Sequence, residues 1–156
     1  MYTKFITGLA FTFSFLVSVA QQKIHVEDKE GLFTPAEINR LDSMLQHYQK
    51  QSGNIILIAT DSADINDPYY KNDLFLRYAP DSTVTDRVFM LLMSRKSQSI
   101  LAVVSKPLVP LITQKQSLDI LAVGVDSLKA KRREEGATLI CKKAMEFLDG
   151  LPKKSE

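Results

Sequence analysis

Residues 55–59 read Ile-Ile-Leu-Ile-Ala, an uninterrupted apolar run that is rich in β-branched side chains. A half-exposed strand alternates apolar and polar residues, so a run without a polar position predicts a strand that is covered on both faces. Residues 88–93 form a second apolar run, and the polar residues 94–97 join it to a third run at residues 99–104. This short connection predicts an antiparallel hairpin.

The segment before the first run carries the start and stop signals of a helix. Thr34 and Glu37 have the spacing of a capping box, and Pro35 suits the first helical position. Gly53 is placed to end the helix just before the buried strand. A short strand at residues 23–26 is predicted to precede this helix.

Three further helices are predicted along the chain. Residues 69–79 have apolar residues at helical spacing. Thr113 and Gln116 form a second capping box, which opens a helix. Gly124 lies within this helix and is expected to weaken it. The last helix is predicted at residues 136–148.

The order of elements is therefore β-α-β-α-β-β-α-α. Parallel strands that are joined through a helix require a right-handed crossover, which places helices against the sheet. The fold class is α/β, a three-layer α/β/α sandwich with a small mixed sheet. We expect one domain at residues 21–150 and a disordered tail at residues 151–156.

The amino terminus predicts export. Lys4 precedes an apolar run at residues 5–19, and Ser18-Val19-Ala20 has the small-residue pattern of a cleavage site. A secretory signal peptide is thus predicted at residues 1–20, with a periplasmic or secreted mature protein. The alternative is an uncleaved anchor, but this run is shorter than the about 20 residues that span a bilayer. No membrane span is expected after cleavage.

Charge and cysteine content narrow the possible partners. The chain has 20 Lys and Arg against 18 Asp and Glu, and this near-neutral balance argues against nucleic acid as a partner. Cys141 is the only cysteine, so it cannot form an intramolecular disulfide. It shares a helical face with Ala137, Ala144 and Leu148, which predicts a core residue; an intermolecular disulfide or a reactive thiol is the alternative.

A family resemblance rests on the order and spacing of several segments. Val-Glu-Asp at residues 26–28 and Gly-Leu-Phe-Thr at residues 31–34 resemble the opening motif of the TPM domain. Residues 54–60 and 88–93 resemble its core strands, and Leu-Ile-Thr at residues 111–113 resembles its helix start. The family includes thylakoid-lumen and photosystem-repair proteins described as phosphatase-like, and bacterial exported proteins. The resemblance implies an envelope role in assembly or repair.

The chain departs from the family at two loops. Thr85-Asp86-Arg87 stands where the family has Asp-Asn-Gly, and Ser105-Lys106-Pro107 stands where it has Gly-x-Gly. Glycine permits positive φ angles and close ligand approach. A family ligand site that needs this backbone geometry would be lost here.

Catalytic motifs are missing from the sequence. It contains no Cys-x5-Arg loop, no Asp-x-Asp-x-Thr, no Arg-His-Gly and no Gly-x-Ser-x-Gly. Only His25 and His47 could supply imidazole to a zinc site. His47 is expected at the surface, and His25 is expected to be an inert edge residue.

Aspartates offer the remaining chemistry. Asp28 and the group Asp61, Asp64 and Asp67 are predicted at the carboxyl edge of the sheet, where open α/β sheets bind ligands. Asp86 is expected at the opposite edge and matches the family's Asp-Asn-Gly region. Carboxylate oxygens suit Ca²⁺ or Mg²⁺, so Asp28, Asp61, Asp64 and Asp86 are the candidate metal ligands. The alternative is that these residues form turns and caps.

Three functions follow as hypotheses. The first is an exported TPM-like module that acts through protein partners in the cell envelope, with little or no catalysis. The second is a metal-dependent, acid-phosphatase-like hydrolase that uses Asp28 and the loop at residues 61–67. The third is a periplasmic carrier of a small ligand.

Overall fold

Four strands form one mixed sheet in this computed structural model, which describes residues 25–62, 65, 73 and 86–152. They are β1 (Val26–Asp28), β2 (Ile55–Thr60), β3 (Val88–Ser94) and β4 (Ser99–Val104), and they lie side by side in chain order. β1, β2 and β3 are parallel, whereas β4 returns antiparallel to β3. The predicted hairpin is confirmed.

The apolar runs at residues 55–59 and 88–93 lie in buried strands, as predicted. Every residue of β2 and β3 is buried. The first strand was predicted at residues 23–26 but lies at Val26–Asp28. Glu27 and Asp28 were not predicted to belong to this strand, because their side chains are polar. Parallel pairing with β2 depends on backbone groups and not on side-chain polarity.

Helix α1 (Pro35–Ser52) has the predicted caps. The Glu37 amide donates to the Thr34 hydroxyl at 3.3 Å, and the Thr34 amide donates to the Glu37 carboxylate at 2.6 Å. Gly53 ends the helix with a φ of 71°, a left-handed conformation that glycine adopts without steric cost. These interactions satisfy backbone groups that the helix ends would leave unpaired.

Helices α2 (Gln114–Lys129) and α3 (Arg133–Asp149) form a close pair. The capping box of Thr113 and Gln116 is confirmed at the start of α2. α3 begins at Arg133, ahead of the predicted residue 136, and its first turn carries Glu134 and Glu135. Acidic side chains stabilise a helix amino terminus, so the charge pattern was a better start signal than the glycine.

The described helices pack on one face of the sheet. This face carries Ile56, Ile58, Phe89 and Leu91. The opposite face, which includes Ile55, is also buried, and Ile65 packs against it. The predicted helix at residues 69–79 lies outside the described residues except for Asp73, as do the predicted signal peptide and residues 153–156. None of the helices within the described ranges is long and apolar enough to cross a membrane.

Two glycines bring α2 and α3 together. α2 continues past Gly124 to Lys129, so this glycine does not end the helix. A Cβ atom at Gly124 would lie 2.6 Å from Cγ1 of Ile140 and closer still to the carbonyl oxygen of Gly136. Gly124 was expected to weaken the helix, whereas the structure shows a close contact that excludes any side chain.

Cys141 lies in the core, as predicted. Its side chain is fully buried, and burial raises the pKa of the thiol to about 12. We expect the folded protein not to react with a thiol reagent at pH 8, because the thiolate is the reactive species and water-soluble reagents cannot reach it. Colour release by an aromatic disulfide reagent, with and without denaturant, tests this. Rapid reaction of the folded protein would contradict it.

Candidate functional site

The ends of β1 and β2 form the carboxyl edge of the sheet. Asp28 ends β1 and pairs in register with Thr60, the last residue of β2. Asp61 follows Thr60 directly, and its backbone amide donates to the Met93 carbonyl at 3.1 Å. The structure therefore places Asp28 and Asp61 at the same edge, as the predicted topology requires.

The Asp28 carboxylate is used within the protein. Oδ1 accepts from the Thr60 hydroxyl at 2.6 Å and from the Leu32 amide at 2.9 Å, and Oδ2 accepts from the Phe33 amide at 2.8 Å. A carboxylate has about four lone-pair positions, so these bonds leave little capacity for a cation. Their effect is to hold the loop that leads into α1.

Thr60 also joins the Asp28 carboxylate to the loop that leads into α1. While its hydroxyl donates to Asp28, its oxygen accepts from the Glu30 amide at 3.0 Å. A hydroxyl can donate once and accept twice. Asp28 and Thr60 thus form one hydrogen-bonded unit, which we call the loop lock.

Asp28 and Asp61 belong to opposite faces of the sheet. Val26, two residues before Asp28, packs in the core beneath the helices. Ala59, two residues before Asp61, packs on the other face. Because side chains alternate along a strand, the two carboxylates diverge although their backbones lie at one edge.

Asp86 lies at the opposite edge, just before β3. The Ser105 hydroxyl donates to the Asp86 carbonyl at 2.7 Å and accepts from the Val88 amide at 2.9 Å. Ser105 therefore closes the position where the resemblance placed a glycine-containing loop. This use of the Ser105 side chain was not predicted.

The predicted metal ligands do not come together in the described part of the chain. Asp28 and Asp61 lie on different faces, and Asp86 lies at the other edge. Asp64 and Asp67 lie outside the described residues. Across the described ranges, no group of three or more His, Cys, Asp or Glu side chains could hold a metal ion. Binding of Ca²⁺ or Mg²⁺ by this set stays a prediction.

The two histidines occupy different environments. His47 is exposed, as expected. His25 is buried, and its Nε2 lies 2.6 Å from the Gln49 side-chain oxygen. Its backbone amide also donates to Asp42 at 2.7 Å. His25 was expected at an inert edge, whereas it joins the start of the sheet to α1.

A second polar connection ties the carboxyl edge to the β3–β4 hairpin. The Arg95 amide donates to the Glu30 carboxylate at 2.7 Å, and the Arg95 guanidinium donates to the Glu30 carbonyl at 3.3 Å. The contact between Glu30 and Arg95 was not predicted, because the two residues are far apart in the chain. No local pattern indicates it.

The fold and this edge define a small α/β domain with a mixed sheet and a hydrogen-bonded carboxylate at the end of its first strand. The model of the TPM domain family matches residues 26–147. The chain belongs to the TPM domain family, and the resemblance inferred from the sequence is confirmed.

Solved structures of similar fold include the following three. The N-terminal domain of a protein from P. gingivalis matches with a TM-score of 0.67 at 15% identity, covering 84% of this chain and 85% of that one. The BA42 protein of the psychrophilic bacterium Bizionia argentinensis matches with a TM-score of 0.65 at 14% identity, covering 81% and 89%.

The N-terminal domain of the cg2496 protein of Corynebacterium glutamicum matches with a TM-score of 0.60 at 11% identity, covering 97% of this chain and 94% of that one. At these identities the likeness shows the fold alone. No curated protein matches the sequence.

Proposed function

We propose that this chain is an exported TPM module that acts by binding protein partners in the cell envelope, with little or no catalysis. The observation that carries the proposal is the loop lock. Asp28, the family-matching aspartate at the carboxyl edge, accepts three internal hydrogen bonds. A carboxylate committed to three donors is a poor general base and a poor cation ligand, because either role needs free lone pairs.

The opposite edge supports the same proposal. Ser105 is buried and hydrogen-bonded to both Asp86 and Val88. Arg87, which lies between these two residues in the sequence, is also largely buried. A ligand that approaches the backbone closely needs an open, glycine-like loop. A closed polar contact at this position favours a structural role for the edge.

Export is the part of the proposal that the amino terminus supports. The apolar run at residues 5–19 and Ala20 before Gln21 are the motivating sequence features. We expect the mature protein in the cell envelope or medium to begin at Gln21. Intact mass measurement on the fractionated protein checks this, and a full-length cytoplasmic product would contradict it.

Catalysis is tested with the chain from Gln21 onward, which keeps every described element. We expect aryl-phosphate hydrolysis no faster than buffer with Ca²⁺, Mg²⁺ or EDTA. Thermal unfolding is measured in the same solutions, because a cation that binds only the folded state raises the midpoint. A midpoint shift without hydrolysis is compatible with a structural cation on a binding module.

One result of this assay would contradict the proposal of little or no catalysis. Hydrolysis that depends on a divalent cation, is lost in Asp61→Asn and is retained in Asp119→Asn would establish the phosphatase hypothesis instead. Asp119 is an exposed aspartate on α2, paired with Lys115. It therefore controls for the loss of one carboxylate away from the carboxyl edge.

A further inference from the structure

A cavity of about 500 Å³ opens between the β3–β4 hairpin and the junction of α2 with α3. Its apolar wall consists of Met93, Ile100, Val125, Leu128 and Leu32. Ligand pockets in proteins commonly measure about 300–1,000 Å³ and are mostly apolar with a few polar groups. The cavity thus has the size and lining of a small-molecule site.

The polar wall of this cavity carries three cations beside the neutral side chains of Ser94, Gln98 and Ser99. Arg95 comes from the hairpin, Lys129 from the end of α2 and Arg133 from the start of α3, and none of the lining residues in the described part of the chain is acidic. The topology of the fold brings these three charges together, since they lie on three different elements. We call the cavity with these three residues the cationic pocket.

Two acids at the start of α3 pair with arginines outside the pocket. Glu134 accepts from the Arg40 guanidinium at 2.6 and 2.8 Å, and this contact lowers the pKa of Glu134. Glu135 accepts from Arg132 at 2.7 Å.

The two helix cations of the pocket have no such partner. Within the described ranges, no carboxylate lies in ion-pair distance of Lys129 or Arg133. Arg95 differs from them, because its guanidinium donates to the carbonyls of Glu30 and Gly31 and its backbone amide donates to the Glu30 carboxylate. An anion that lies between Lys129 and Arg133 would therefore meet positive charge that no carboxylate of the described residues pairs with.

We propose that the cationic pocket binds a small amphipathic anion, with a carboxylate or phosphate head and an apolar body. The head lies between Lys129 and Arg133, and the body packs against Met93, Ile100 and Val125. A head alone would leave the apolar wall in water, and a neutral body would leave the cations without a partner. The pocket adjoins the loop lock at Leu32, whose amide donates to Asp28, but it does not depend on the protein partners proposed above.

Backbone amide NMR of the chain from Gln21 onward tests the proposal. The probes are octanoate and octyl phosphate, which share a body and differ in the head. Inorganic phosphate supplies a head alone, and octanol supplies a body alone. We expect saturable shifts at Ser99, Ile100 and residues 125–133 with the two amphipathic anions. The tighter of these two identifies the head that the pocket prefers.

Variants separate a built pocket from diffuse charge. Lys129→Gln combined with Arg133→Gln should weaken octanoate binding by about tenfold or more, because a charge-assisted hydrogen bond contributes about that much. Lys142→Gln removes one exposed charge on α3 outside the pocket and should leave binding unchanged. Val125→Trp should fill the cavity and abolish binding while the remaining amide spectrum stays native.

Three results would overturn the proposal. The first is the absence of saturable shifts with either amphipathic anion. The second is equal binding of octanol or inorganic phosphate, which would show that one half of the ligand suffices. The third is an equal loss of binding in Lys142→Gln, which would show attraction to net charge alone.

Discussion

Asp28→Ala should lower the free energy of unfolding by about 3 kcal/mol or more, because it removes the acceptor of three hydrogen bonds. Each buried donor left without a partner costs about 1–3 kcal/mol. The Leu32 and Phe33 amides and the Thr60 hydroxyl would all lose theirs. Denaturant-induced unfolding of both proteins in EDTA measures the difference.

The matched control is Asp119→Ala, which removes an exposed carboxylate from α2. It should change stability by less than about 1 kcal/mol, as exposed ion pairs usually do. If Asp28 acted mainly as a cation ligand, the loss of stability in Asp28→Ala would appear with Ca²⁺ or Mg²⁺ and vanish in EDTA. That outcome would contradict the loop lock and revive the predicted metal site.

Gly124→Val should destabilise the protein by about 3 kcal/mol or more, because the new side chain meets backbone as well as Ile140. Overpacking typically costs about 1–3 kcal/mol, and backbone atoms cannot move aside as a flexible side chain can. α2 and α3 would have to separate. Thermal and denaturant unfolding give the magnitude.

Two companion variants test the cause of this loss. Ala122→Val lies on the exposed side of α2 and should cost only the helix-propensity difference, less than about 1 kcal/mol. Gly124→Ala should still destabilise, although alanine gains about 1 kcal/mol of helix propensity over glycine. A more stable Gly124→Ala protein would show that the two helices are not in close contact.

The strands and helix caps could be predicted because their signals are local. A strand that is buried on both faces needs apolar residues throughout, and β2 and β3 show that pattern. The capping boxes at Thr34 and Thr113 join residues three positions apart. Such interactions form within one turn of chain, so neighbouring residues suffice to indicate them.

The candidate site could be predicted only in part. Chain order placed Asp28 and Asp61 at one edge, because parallel strands end together. It did not indicate that Asp28 would be saturated by Thr60 and the loop amides. It also did not indicate that Asp28 and Asp61 lie on opposite faces of the sheet. The face on which a side chain lies depends on the register of its strand, and a shift of one residue reverses it.

Residue patterns along short stretches of the sequence were enough to predict the α/β class, the family and the positions of most elements. The contact of Gly124 with Gly136, the loop lock and the cationic pocket were found in the packed structure and not in the sequence. Each of these joins residues from separate elements. Their distances depend on how the elements pack, and no local pattern of residue types records that packing.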